Sequence, residues 1–337
     1  MSSPHPSPAL FFDTINAYQR TEALRAAIEL GLFTAVASGQ RTPAQIAAAC
    51  RASPRGVRIL ADYLTVLGFL QKSGDLYALT PDAEAFLDRR SPAYMGGAVE
   101  FLLAADLREA FLHLTEAVRR GGTATSDEGT VSHDNPIWVA FARAMAPMMR
   151  LPAGLLADLV GGDSERPLRV LDVAAGHGLF GIAVAERYPN ARVTALDWPG
   201  VLAVASENAR AAGVAGRYDL IPGSGFTTDW GGPYDIVLLT NFFHHFDLPT
   251  CGKLAAKAHA ALAPAGRALT VEFVPEPDRV SPPPAATFAL TMLATTACGD
   301  AYTFAEYQQL FARAGFARSE FHVLPPSPQQ AVVSYKD

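Results

Sequence analysis

The sequence predicts an α/β protein in two parts: a mainly helical N-terminal third, then a doubly wound sheet. Two observations carry this. From Leu168 onward, short β-rich runs alternate with helical patterns, which is how βαβ units around a parallel sheet read. Before Gly161, apolar residues recur instead at helical spacing, with one short hairpin among them.

The first helix is expected over Asp13–Leu32, where Ile15, Tyr18, Leu24 and Ile28 share a face. Thr42-Pro43 opens a second helix as N-cap and first residue, running to about Cys50. Ser53-Pro54 opens a third, with Val57, Leu60, Leu64 and Leu67 on one side and Gly68 as its stop. Residues 69–72 and 76–79 flank Ser73-Gly74-Asp75 as a hairpin. Three helices and a hairpin make a winged helix-turn-helix. Helices over Tyr94–Arg119 and Pro136–Val160 follow, separated by a polar loop, Gly121–Asn135.

Gly161-Gly162-Asp163 marks the change of composition. Strands are expected at Leu168–Val173, Arg192–Leu196, Tyr218–Pro222, Tyr234–Thr240 and Ala268–Val274, with helices near Leu179–Arg187, Gly200–Ala212 and Thr250–Leu262. Ser281–Pro284 reads as a stiff connector before another helix, and Phe321–Leu324 with Ala331–Tyr335 as a closing strand pair. The resulting division is a disordered tail over 1–12, a winged-helix domain over 13–100, helices over 101–160, and a ligand-binding α/β domain over 161–337.

Bulk properties narrow the class. The chain has 337 residues, half of them apolar, enough for two cores. No apolar run approaches the ~20 residues of a membrane span, so a soluble, non-membrane protein is expected. Met1–Pro8 has no apolar signal core, and Cys50, Cys251 and Cys298 lack metal or disulfide spacing. A reduced, cytoplasmic setting is the expectation. The net charge is −6 without a basic run, which argues against a nucleic-acid partner.

Val170-Leu-Asp-Val-Ala-Ala-Gly-His-Gly178 is a strand running into a glycine turn. Gly176, Gly178 and Gly181 satisfy the dinucleotide expression G-x-G-x-x-G, and Asp197 ends the next strand, where it can accept from both ribose hydroxyls. Asp172 discriminates. A pyrophosphate at a helix N-terminus wants positive potential, and a carboxylate there opposes it. S-adenosylmethionine carries a sulfonium and an ammonium, which the same carboxylate favours. The methyl donor is therefore preferred over a nicotinamide cofactor.

Ligands of open α/β sheets bind beyond the carboxyl ends of the strands. Asn241, His244 and His245 follow such a strand. A neutral imidazole can take the proton of a phenol, whose pKa lies near ~10. Glu272, at the end of the next strand, is placed to fix the tautomer of that imidazole. Methyl transfer is an in-line displacement, so positioning carries most of it. No metal is called for, and no ligand cluster for one is visible in the sequence.

These residues carry a resemblance. The chain resembles the small-molecule O-methyltransferases typified by the caffeic acid and acetylserotonin enzymes, many of whose bacterial relatives work in secondary metabolism. The likeness spans nearly the whole chain, including Ala23–Phe33, Leu171–Gly178 and Leu196-Asp-Trp-Pro199. It implies S-adenosylmethionine as cofactor, held by Asp172, Ala175, Gly176, Gly178, Asp197, Trp198, Ser224, Gly225, Phe226 and Asn241. It implies His244 as general base and Glu272 as its orienting carboxylate. His245 stands where the family has Asp, and the family's second orienting Glu falls near Ala301, with Asp300 the neighbouring acid. Phe141, Met145, His245, Met292 and Thr296 fall on substrate walls. The winged-helix part becomes a dimerisation domain, implying a homodimer in which residues 13–20 reach the partner. The activity implied is O-methylation of a small aromatic hydroxyl compound. The alternatives are C-methylation or a non-methylating reaction on the same fold, and a winged-helix regulator that senses the cofactor.

Overall fold

The structure is a computed structural model that describes residues 6–127, 129–130 and 137–337. The start of the expected tail, part of the polar loop 121–135 and Pro136 lie outside the described residues. The chain divides into two compact units, 1–99 and 100–337.

In the first unit, the expected Asp13–Leu32 helix is three helices: α1 (Ala9–Ile15), α2 (Ala17–Leu30) and α3 (Leu32–Ala37). The chain turns at Asn16, and Gly31 adopts a left-handed φ of 69° that ends α2. α1 thus begins inside the stretch expected as a disordered tail. α4 (Pro43–Cys50) opens on a capping box in which Thr42 and Gln45 exchange hydrogen bonds, and α5 (Pro54–Val66) on Ser53. The hairpin β1 (Leu70–Ser73) and β2 (Leu76–Leu79) pairs Ser73 with Leu76 across Gly74-Asp75. α6 (Pro81–Leu87), capped by Thr80, completes the unit. Its core joins Ile28, Phe33, Ile46, Val57, Leu64, Leu70 and Tyr77. By contrast, α1 buries none of its side chains.

A short helix, α7 (Val99–Leu102), spans the division. The expected helix Tyr94–Arg119 is broken: α8 (Ala105–Leu112) follows an extended Ala104, and α9 (Leu114–Arg120) ends on left-handed Gly121. α10 (Ile137–Val160) then runs unbroken through Pro147 and Pro152.

The sheet of the second unit has β3 (Leu168–Val173), β4 (Ala191–Asp197), β5 (Tyr218–Pro222), β6 (Tyr234–Thr240), β7 (Leu262–Glu272), β8 (Arg318–Val323) and β9 (Gln330–Tyr335). Its spatial order is β5-β4-β3-β6-β7-β9-β8. β3 to β7 are parallel, while β9 runs antiparallel to β7 and β8. The near-continuous apolar runs of β3 and β6 follow from burial on both faces. One face packs α10, α11 (Leu179–Arg187) and α12 (Pro199–Ala211) through Leu156, Phe180, Val184, Leu202 and Ala205. The other packs α13 (Leu248–Ala261) and α15 (Phe304–Arg313) through Leu254, Ala258, Tyr307 and Phe311. α14 (Pro283–Thr295) lies between β7 and α15 in the chain. The chain winds outward from β3 to β5 one way and from β6 to β7 the other. The switch point therefore lies between the carboxyl ends of β3 and β6, where such sheets form their binding crevice.

Candidate active site

Both strands at the switch point end in backbone that non-glycine residues rarely adopt. Ala174 after β3 has φ 54° and Asn241 after β6 has φ 53°. Strain of this kind clusters at functional sites. Beyond Ala174, the chain passes Ala175, whose N–H donates to the Leu196 carbonyl, and reaches Gly178, whose N–H returns to the Ala175 carbonyl at 2.7 Å. Gly178 must be glycine: its φ is 76°, and a Cβ there would lie 2.5 Å from the Tyr218 hydroxyl. Asp197 holds this loop. Its Oδ2 accepts the Gly176 N–H at 2.8 Å and its Oδ1 the Trp198 N–H at 2.7 Å. One carboxylate therefore ties the end of β4 to the glycine turn and to the start of α12.

Asp172 is close to the same loop. It is 0% exposed. Its Oδ2 accepts the Gly181 N–H at 3.0 Å, pinning the first turn of α11. Burial pushes its pKa up to about 8, partly offset by the Gly181 N–H and reinforced by the charge of Asp197. The sequence argument missed His177 between the glycines. Its Nδ1 accepts the Leu179 N–H, and burial depresses its pKa to about 4, so it stays neutral at pH 7. Glycine spacing directs attention past the residue that the glycines flank.

The segment after β5 is fastened at several points. Ser224 Oγ accepts the Phe226 N–H, Trp230 Nε1 donates to the Gly225 carbonyl, and Lys257 Nζ donates to the carbonyls of Phe226 and Thr228. Gly225 faces the Phe242 ring, which a Cβ would approach to 3.3 Å. Phe226, Phe242 and Phe246 pack edge to face or tilted, with centroids 4.9–6.1 Å apart. The Asn241 carboxamide accepts from Gln329 and contacts the Met149 sulfur.

A tight turn, Phe243–His245, follows Asn241. Glu272, at the end of β7, holds it with both oxygens. Oε1 accepts the N–H groups of Phe242 at 2.9 Å and Phe243 at 3.0 Å, with that of His244 at 3.4 Å. Oε2 lies 2.6 Å from His244 Nδ1. His244 is 6% exposed and Glu272 1%. A carboxylate only accepts, so it favours the tautomer with the hydrogen on Nδ1, and in that neutral tautomer Nε2 has a lone pair.

A chain of rings surrounds this imidazole. His244 meets Phe288 of α14 at 4.8 Å and His245 at 4.2 Å. His245 continues to Trp138 at 5.1 Å, and Trp138 to Phe141 at 5.6 Å, both on α10. Burial holds the His245 pKa well below its ordinary value. Met145, one turn beyond Phe141, and Met292 of α14 are buried. Thr296 and Asp300 have partners within this part of the chain. The Thr296 hydroxyl donates to the Met292 carbonyl and accepts the Gly299 N–H. Asp300 lies 3.6 Å from the Arg279 guanidinium.

An open α/β sheet with a carboxylate-tied glycine turn at its switch point defines a nucleotide- or nucleoside-binding enzyme fold. Within that class the assignment is direct. Residues 112–317 match the O-methyltransferase domain and residues 12–89 the O-methyltransferase dimerisation domain. The chain belongs to the O-methyltransferase family, which is S-adenosylmethionine-dependent. It is 31% identical to 3-hydroxy-5-methyl-1-naphthoate 3-O-methyltransferase of Streptomyces sahachiroi over 91% of this chain and 89% of that one. It is 30% identical to acetylserotonin O-methyltransferase of Mus musculus, over 96% and 87%. A crystal structure of a candidate O-methyltransferase from Nostoc punctiforme superposes with TM-score 0.95 at 53% identity, covering 98% and 100%. Among the described residues, no helix is long and apolar enough to cross a membrane.

Proposed function

We propose that this chain transfers a methyl group from S-adenosylmethionine to the hydroxyl of a small aromatic molecule of secondary metabolism, with His244 as the general base. The His244–Glu272 pair at 2.6 Å carries the reading. Bound cofactor supplies an electrophilic methyl on a sulfonium. The residues present suit it: Asp197 ends β4, and the loop Ala174–Gly178 holds no cation, since His177 is neutral. Asp197 and Gly176 would hold the ribose and methionine parts, with Phe226 and Ser224 at the adenine. Asp172 acts through its field when ionised.

The chain's own work is orientation and proton removal. Glu272 keeps the His244 hydrogen on Nδ1, so Nε2 takes the acceptor's proton as oxygen attacks, and the carboxylate then stabilises the imidazolium. Phe288, His245, Trp138 and Phe141 offer ring faces and edges that suit a planar acceptor. The proposed assembly is a homodimer, supported by the N-terminal helices: Leu10 is 78% and Phe11 64% exposed on a helix that buries nothing in its own unit. A second copy of the dimerisation domain is their proposed cover.

The test is methyl transfer to a panel of phenols, read by product mass, with wild type and His244→Ala. His244→Ala is expected to abolish turnover while calorimetric affinity for S-adenosylhomocysteine stays within about threefold. Methylation on carbon, or cofactor left unconsumed with every acceptor, would replace the O-methylation reading, and undiminished turnover in His244→Ala would remove the base.

A further inference from the structure

The family resemblance places a second orienting carboxylate near position 301. This chain has a buried Ala301 there, and the adjacent Asp300 faces Arg279. Yet the turn that carries His244 is held on two sides. Glu272 takes the N–H groups of residues 242–244 on one side. On the other, the Tyr302 hydroxyl donates to the Phe246 carbonyl, and Cys251 Sγ donates to the carbonyls of Phe243 at 3.3 Å and Phe246 at 3.6 Å. Gly299 lies flat against the same turn: a Cβ there would fall 2.2 Å from the His244 carbonyl oxygen.

We propose that Tyr302 is a positioning residue for the methyl transfer, fixing the His244 imidazole by clamping the turn's carbonyl side in place of the missing carboxylate. The proposal rests on His244 being the base. Tyr302 never touches the imidazole. It acts through backbone, because an imidazole whose Cα is fixed from both sides has only its side-chain torsions left, and Glu272 sets those. The chemistry of the clamp is durable. The Tyr302 phenol is buried among Phe243-side aromatics, with the Tyr307 ring 6.2 Å away, and burial pushes its pKa up, so it remains a donor at working pH. A carboxylate at position 301 would add a second charge beside the base. A clamp by a neutral hydroxyl gives position without that charge, and it leaves Glu272 as the sole carboxylate among the described residues seen to contact His244.

Tyr302→Phe removes one hydroxyl and keeps the ring. Small misplacements of a reacting group cost up to about 100-fold in rate, so kcat is expected to fall about 10- to 100-fold. KM for the acceptor and the affinity for S-adenosylhomocysteine should stay within about threefold. The second readout is the His244 imidazole in ¹H–¹⁵N spectra of the intact protein. Its downfield Nδ1–H signal should shift or broaden in Tyr302→Phe, which a generally destabilised but correctly placed turn would not cause. Wild-type kcat together with an unchanged imidazole signal would overturn the proposal. If His244→Ala also keeps turnover, it is the base assignment that has failed; if His244→Ala is inactive while Tyr302→Phe is normal, only the clamp has failed. Should Tyr302→Phe not fold, Cys251→Ala loosens the same carbonyls from α13 and is read by the same measurements, with a wild-type result counting against the clamp.

Discussion

Replacing Glu272 with Gln exchanges one oxygen for an NH₂ group and leaves the size of the side chain unchanged. The carboxamide oxygen can still accept the N–H groups of Phe242 and Phe243 at 2.9 and 3.0 Å, so the turn should keep its shape. The NH₂ then faces His244 Nδ1, which sits 2.6 Å from Oε2 in the native protein. Two donors cannot share that contact, so the imidazole hydrogen moves to Nε2, the nitrogen proposed to receive the substrate proton. Two losses combine. A hydrogen bond to a charged partner is worth about 1.5–3 kcal/mol, or about 10- to 150-fold in the stabilisation of the imidazolium. The wrong tautomer adds more, and an Asp-to-Asn change in a serine-protease triad costs about 10⁴-fold for that reason. The expectation for Glu272→Gln is a kcat lowered about 10²- to 10⁴-fold. Cofactor affinity and melting temperature should change little. Glu272→Ala is a different perturbation, since it strands the backbone donors of Phe242, Phe243 and His244 at about 1–3 kcal/mol each and threatens the fold itself. The assay is single-turnover methyl transfer with saturating donor, beside calorimetry with S-adenosylhomocysteine. A Glu272→Gln enzyme within about threefold of wild-type kcat would refute the tautomer argument, and a loss of cofactor affinity in place of rate would assign Glu272 to the wrong ligand.

Two further outcomes follow from burial. The Asp172 pKa is raised to about 8 from the ordinary range near 4, so between those values the folded protein binds a proton that the unfolded chain has released. Its contribution to ligand-free stability is greatest below pH 4, declines as pH rises toward 8 and is flat beyond. Asp172→Asn keeps an acceptor for the Gly181 N–H, so its melting temperature should gain on wild type between pH 5 and 8, and a pH-independent difference would remove the linkage. In the first unit, the double change Phe11→Glu, Phe12→Glu should turn a dimer into a monomer in sedimentation velocity, because both rings are exposed within their own chain. A dimer that survives it, or a wild-type monomer, would refute the α1 interface.

Several elements escaped the sequence reading although their signals were present. α15 opens on a capping box between Thr303 and Glu306, and α6 on Thr80 with Pro81, but each helix is short and its apolar face reads only against its neighbours. The long N-terminal pattern concealed a break at Asn16, since periodicity continues across a turn when both pieces pack on related faces. β7 begins at Leu262, six residues before the apolar run that announced it, because its early part pairs with β6 only past a bulge at Tyr234–Ile236.

The sequence by itself determined where chemistry could occur. Asp172, Asp197, Asn241 and Glu272 lie at or next to the carboxyl ends of apolar strands, with glycines at 176 and 178 after the first, and parallel strands joined by crossovers bring such ends to one rim of the sheet. Tertiary structure decided what each residue faces. Asp172 accepts the Gly181 N–H, Thr296 donates to the Met292 carbonyl, and Asp300 goes to Arg279. Glu272 reaches back about 30 positions to grip one turn by three N–H groups and an imidazole, and Tyr302 meets the same turn from 56 residues away. Local patterns record which way a side chain leaves its own strand or helix. They carry no record of the hydrogen-bond partner that a distant segment brings, and at this site those partners set the proton, the charge and the geometry.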